Sequence, residues 1–103
     1  MPYVVISRYT RTDVATKWHN ETVHDEKIWN DYTNMMLSTF HGRKTRTITE
    51  TDPNTLEVEF VWENQAAYEE FKARPETIAQ QQMIENYNNS VGITAAPKEE
   101  FEI

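Results

Sequence analysis

Three imidazoles, His19, His24 and His41, are the side chains in this 103-residue chain whose ordinary pKa lies near neutrality. His19 and His24 stand five residues apart, a spacing that does not put both on one helical face. Convergent ligands for a metal are therefore not predicted. His41 precedes Gly42 and suits a cation at a helix C-terminus. His24 lies at the edge of an apolar helical arc, where it could rim a pocket; it is the candidate catalytic base, set against a half-buried structural role.

Trp29 and Trp62 could wall a pocket or simply pack. Trp62 closes a run of apolar residues at spacing two, and Trp29 sits on a helical stripe, so core packing is the plainer reading of both. Arg8 shares a strand face with Val4 and Ile6 and is the candidate anchor for a carboxylate; the alternative is an interface or edge salt bridge. Tyr3, Tyr9, Tyr32, Tyr68 and Tyr87 have amphipathic rings that fit a pocket wall or a core. Met35, Met36 and Met83 are adaptable packers that tolerate a flexible ligand.

These residues need elements to hold them. Tyr3–Arg11 reads as a strand with apolar groups on both faces. His24–Phe40 has helical spacing, with Ile28, Trp29, Tyr32, Met35, Met36 and Phe40 within an arc of roughly 140°. Asn20 or Thr22 could cap it, and Gly42 is placed to stop it. Arg43–Glu50 and Leu56–Glu63 flank an Asp-Pro-Asn turn and should form a hairpin. One face of the second strand carries Leu56, Val58, Phe60 and Trp62 opposite threonines; the other sets Lys44 and Arg46 among glutamates. Asn64 caps a short helix with Ala67, Tyr68 and Phe71 inward. Pro75 can open a second helix with Met83, Ile84, Tyr87 and Val91 as its stripe, ended by Gly92. Ile93–Ala95 follows as a last strand. The order β-α-β-β-α-β is the α+β, ferredoxin-like plan with an antiparallel sheet, spanning residues 1–95. Residues 96–103 form an acidic tail in which Phe101 and Ile103 alternate and could pair with a partner subunit.

Composition narrows the function. Seventeen acidic against ten basic residues give a formal net charge of −7, which repels nucleic acid and anionic lipid. No cysteine is present, so thiolate chemistry and disulfides are excluded. Two glycines cannot build a phosphate loop. No apolar run approaches bilayer length, and a strand begins almost at Met1, so a cytoplasmic protein is expected.

Phe60, Trp62, Asn64, Ala66, Ala67, Tyr68 and Phe71, an aromatic strand end followed by a polar cap and an "AAYEEF" helix, resemble the dimeric α/β-barrel superfamily, which includes the antibiotic-biosynthesis-type monooxygenases. The resemblance implies a homodimer whose two sheets pack into one barrel, with a pocket in each protomer. In the resembling monooxygenases a pocket tryptophan holds an aromatic substrate. The heme-degrading branch carries Asn on its first strand and His on the helix after the tryptophan; this chain has Ser7 and no such His, and no cofactor is expected. The expected function is binding of a small hydrophobic molecule with a polar head group, against two alternatives: a cofactor-independent monooxygenase, or a structural or regulatory dimer. The expected walls are Ile28, Trp29, Tyr32, Met36, Phe60, Trp62, Phe71 and Met83, with Arg8 or His24 at the head group.

Overall fold

The β-branched and aromatic run Tyr3–Thr10 forms β1, and every other element is organised around it. The computed structural model describes residues 1–19, 26–39, 43–48 and 52–103; for 26–30, 32, 39 and 43–48 it describes the backbone alone. After β1 come α1 (Glu26–Thr39), β2 (Arg43–Ile48), β3 (Thr55–Trp62), α2 (Gln65–Lys72), α3 (Pro75–Val91), β4 (Thr94–Ala95) and β5 (Glu99–Glu102). This is the predicted α+β order, with a broken last strand. The expected helix-one caps, together with His24, Phe40, His41 and Gly42, lie outside the described residues, as do the side chains of Ile28, Trp29 and Tyr32.

The sheet runs β2-β3-β1-β4, with β5 also on β1. All pairings are antiparallel. One edge of β1 pairs with β3 along its whole length, from Tyr3 opposite Trp62 to Thr10 opposite Thr55. The other edge is shared: β4 takes Tyr9 and Thr10, and β5 takes Tyr3 to Ile6. The expected last strand supplies β4, and the residues expected as a tail, 96–103, hold β5 on β1 of the same chain. In the hairpin, Thr47 faces Val58 and Arg46 faces Glu59 as the pattern predicts. A bulge between Lys44 and Arg46 then shifts the register, so that Lys44 stands opposite Phe60 instead of a glutamate. One extra residue in one strand reverses side-chain direction beyond it.

Strand pairing decides which residues share a face. Tyr3, Val5, Ser7 and Tyr9 lie beside Trp62, Phe60, Val58 and Leu56. This face meets the helices: Tyr3, Val5 and Trp62 pack with Met36 of α1 and with Tyr68 and Phe71 of α2. Tyr9, Leu56 and Val58 pack with Ile93 and with Trp18 from the β1–α1 connection. Val4, Ile6 and Val61 form a separate buried cluster on the opposite face. The register thus puts Tyr3 and Val5 on the side opposite Val61.

Local signals fix the helix ends. Asn64 caps α2, its Oδ1 accepting from the Ala67 amide at 2.8 Å. Pro75 occupies the first turn of α3, where its missing N–H costs nothing. Gly92 ends α3 at φ 79°, a left-handed conformation that favours glycine. The buried side of α3 is Thr77, Gln80, Ile84 and Asn88. Met83 and Tyr87 are half-buried and Val91 is exposed. The helix is thus rotated from the orientation that its apolar residues alone predict.

Candidate functional site

The helix-covered face of the sheet is not filled completely. A cavity of about 70 Å³ lies over Val5, Ser7 and Tyr9 of β1 and Val58, Phe60 and Trp62 of β3. Tyr68, Phe71 and Lys72 border it from α2, and Thr77, Gln81 and Ile84 from α3. His19 reaches it from the β1–α1 connection and Lys98 from the β4–β5 connection. A second cavity, about 210 Å³, adjoins the first and shares Ser7, Tyr9, Gln81, Ile84 and Lys98 with it; Glu85, Asn88, Ala95 and Ala96 are among its other walls. Together they approach the lower end of small-molecule pockets, roughly 300 Å³.

Trp62 is central to the first cavity. Its ring contacts Phe71 at 4.5 Å and Tyr68 at 5.6 Å between centroids. It is 2% exposed, and its indole N–H has no hydrogen-bond partner among the described residues. The Thr77 hydroxyl, also 2% exposed, is in the same condition. In the second cavity the amide oxygen of buried Asn88 lacks a donor among the described residues. A buried polar group left unmatched costs about 1–3 kcal/mol. A molecule offering an acceptor to Trp62 and Thr77 recovers that cost. Trp62 can only donate; Thr77 can donate or accept.

Tyr9 and His19 stand edge to face, 4.9 Å between ring centroids. Burial pushes the Tyr9 phenol up from its ordinary value, a hydrogen bond with Ser7 opposes this, and the charge of Glu85 reinforces it. Tyr9 is therefore a neutral phenol at physiological pH. Lys72 is paired with Glu69 at 3.3 Å and lies 5.2 Å from the Tyr68 ring centre. Tyr87 is outside the first cavity and donates its hydroxyl proton to the Lys17 carbonyl at 2.5 Å.

The expected wall residues Phe60, Trp62 and Phe71 come together at the first cavity. Met36 is buried in the cluster beside Trp62 and does not border either cavity; Met83 is half-buried on α3 and borders neither. Ile28, Trp29, Tyr32 and His24 fall outside the described side chains. Arg8 is placed differently from the aromatic wall residues. It touches the rim of the second cavity, but strand alternation turns its side chain to the Val4–Ile6 side. There its Nε donates to Glu57 at 2.8 Å and its Nη1 to Glu99 at 2.9 Å. The guanidinium holds strands together and is not offered to a ligand beside Trp62.

Several wall residues escape the apolar pattern. Thr77, Gln81 and Asn88 are polar and do not belong to the stripe Met83, Ile84, Tyr87 and Val91. Their spacing with Ile84 is nevertheless helical, and a polar stripe at that period was the available signal. His19 and Lys98 lie in connections, where periodicity carries no information.

No family model matches the chain, and no curated protein matches it. Solved structures do. SnoaB, a cofactor-independent oxygenase from Streptomyces nogalater, superimposes with a TM-score of 0.62 at 17% identity, over 99% of this chain and 92% of that one. The chain shares that fold, an antiparallel ferredoxin-like α+β sheet with helices. A Deinococcus radiodurans protein with a provisional assignment as an antibiotic biosynthesis monooxygenase gives a TM-score of 0.57 at 11% identity, over 98% and 91% of the two chains. Rv0793 from Mycobacterium tuberculosis gives 0.51 at 16% identity, over 100% and 95%. At such identities the likeness speaks for the fold of the chain and not for the chemistry. No helix among the described residues is long and apolar enough to cross a membrane.

Proposed function

We propose that this α/β-barrel protein binds a small hydrophobic molecule with a polar head group between its sheet and helices. The observation that carries the reading is the pair of buried, unmatched groups, Trp62 Nε1–H and the Thr77 hydroxyl, on the wall of an otherwise aromatic cavity. They call for an acceptor such as a carbonyl or phenolic oxygen, with an apolar body against Phe60, Phe71 and Ile84. Ligand-free, this arrangement only costs stability; with such a ligand each group is satisfied. The test is a thermal-shift panel of fatty acids, quinones, nucleotides and sugars. A hundredfold excess over Kd should stabilise by about 2.7 kcal/mol. Stabilisation by quinones or fatty acids is expected, and a response confined to nucleotides or sugars refutes the reading.

A second reading is cofactor-independent oxygenation. Its support is the fold shared with SnoaB, an oxygenase of that description, together with Trp62 as a donor toward a substrate oxygen. In such a reaction a phenol and O2 give a quinone and water. Oxygen uptake with an aromatic phenol in metal-free buffer separates the two readings: turnover favours the oxygenase, binding without turnover the carrier.

The protein is further proposed to act as a homodimer through the sheet face of Val4, Ile6 and Val61, whose buried cluster includes no helix residue among the described residues. Phe101, paired with Val4, borders that face and is 38% exposed. Sedimentation at micromolar concentration should give a dimer; a monomer overturns this.

A further inference from the structure

Lys98 borders both cavities, at the place where they share Ser7, Tyr9, Gln81 and Ile84. It lies on the short connection between β4 and β5, which folds back against β1 through the Ala96 amide, 2.9 Å from the Arg8 carbonyl. Other cations near the cavities are engaged. Arg8 is held by Glu57 and Glu99, and Lys72 by Glu69. Among the described residues no carboxylate lies within ion-pair distance of Lys98.

We propose that Lys98 is the carboxylate anchor of this pocket, so that the ligand is a hydrophobic monocarboxylic acid whose body lies against Phe60, Trp62 and Phe71. The inference rests on the proposed binding function and adds to it the charge of the ligand and the residue that reads it.

Two further observations support the assignment. Lys98 is an exposed residue whose pKa is lowered, mainly by partial desolvation; Glu100 raises it, Lys72 lowers it and Glu85 raises it. A partly desolvated cation without an ion-pair partner gains from a bound anion. The same surroundings restrict the anion. Glu85 and Glu100 both act on Lys98, so a phosphate monoester brings a second negative charge toward two carboxylates with no further unpaired lysine at the cavity among the described residues. A single carboxylate is the matching charge.

Calorimetric titration of the full chain with 2-naphthoate, its methyl ester and 2-naphthyl phosphate at neutral pH tests this. Naphthoate should bind about tenfold more tightly than the ester, and also more tightly than the phosphate. Lys98→Met should remove most of that preference while leaving the ester within about twofold, and Lys98→Arg should keep it. Lys98 is at the surface, and the retained ester affinity shows that the variant's pocket is intact. Equal affinity for acid and ester in the unmodified protein overturns the anchor alone. So does a preference that survives Lys98→Met, a Lys98→Met change that weakens acid and ester equally, or tighter binding of the phosphate. Failure of all three probes to bind overturns the pocket reading together with the anchor.

Discussion

On one face of the sheet Tyr3, Val5, Tyr9, Leu56, Val58 and Trp62 meet the helices; on the other Val4, Ile6 and Val61 meet one another beside the Arg8–Glu57–Glu99 ion pairs. The same strands build both. On the second face, small branched side chains sit side by side at the pleat spacing and fill it. On the first, large rings approach from different elements at tilted angles, 32° for Tyr3–Tyr68 and 36° for Trp62–Phe71. Rings fixed by separate backbones leave gaps between them. The cavities open on that side, bordered by Thr77, Gln81 and Asn88 of α3. The comparison teaches that the site arises from incomplete packing of aromatics under polar helix residues, not from a dedicated loop.

Truncation of the cavity face should cost most. Trp62→Ala should destabilise by about 3–5 kcal/mol in denaturant unfolding, because it removes a core ring as well as a cavity wall. Trp62→Phe should retain much of the packing and delete the unmatched donor, leaving stability nearly unchanged while weakening ligand binding. If Trp62→Ala scarcely alters stability but abolishes binding, Trp62 serves the ligand and not the core. On the filled face, Ile6→Val should cost about 0.5–1.5 kcal/mol by the same measurement. A cost as large as that of Trp62→Ala would mean that this face, and not the aromatic one, holds the fold together.

Smaller still is Thr77→Val. Removal of a buried hydroxyl without a partner should leave stability within about 1 kcal/mol, or raise it, while ligand binding weakens. A larger loss would show that the hydroxyl is satisfied in the free protein. The last expectation concerns β5. Tyr3 donates to Glu100 at 2.8 Å on the helix face, and that bond, then burial, pushes the phenol up to about 12. The folded chain therefore keeps this proton to higher pH than the unfolded chain, whose tyrosines titrate near about 10. The contribution is complete below pH 10 and is lost as pH rises from about 10 to 12. Denaturation midpoints should fall across that window, and less steeply in Tyr3→Phe. An identical slope in the variant would mean that Tyr3 does not tie β5 to the sheet.

Much of the local structure was legible in the residues themselves. Asp52-Pro53-Asn54 makes its turn because Asp52 bonds back to the Asn54 amide at 2.9 Å and to the Thr55 hydroxyl at 2.7 Å. Asn64, Pro75 and Gly92 mark helix ends through groups within a few residues of each, and alternation in β3 gives its two faces. Part of the site followed from these signals: Phe60 and Trp62 share a strand face, and Phe71 is on the inward side of α2. The remainder depended on contacts distant in sequence. Arg8 is held in ion pairs because β1 lies between β3 and β5, whose glutamates meet it there. Thr77 and Asn88 became buried because α3 turns toward the sheet along a side that its apolar residues do not mark. Trp18, His19 and Lys98 belong to connections, and no local preference says where a connection will come to rest. Propensity and capping act over a few residues. A cavity is the space that distant elements fail to fill, so its walls are settled only when the whole chain packs.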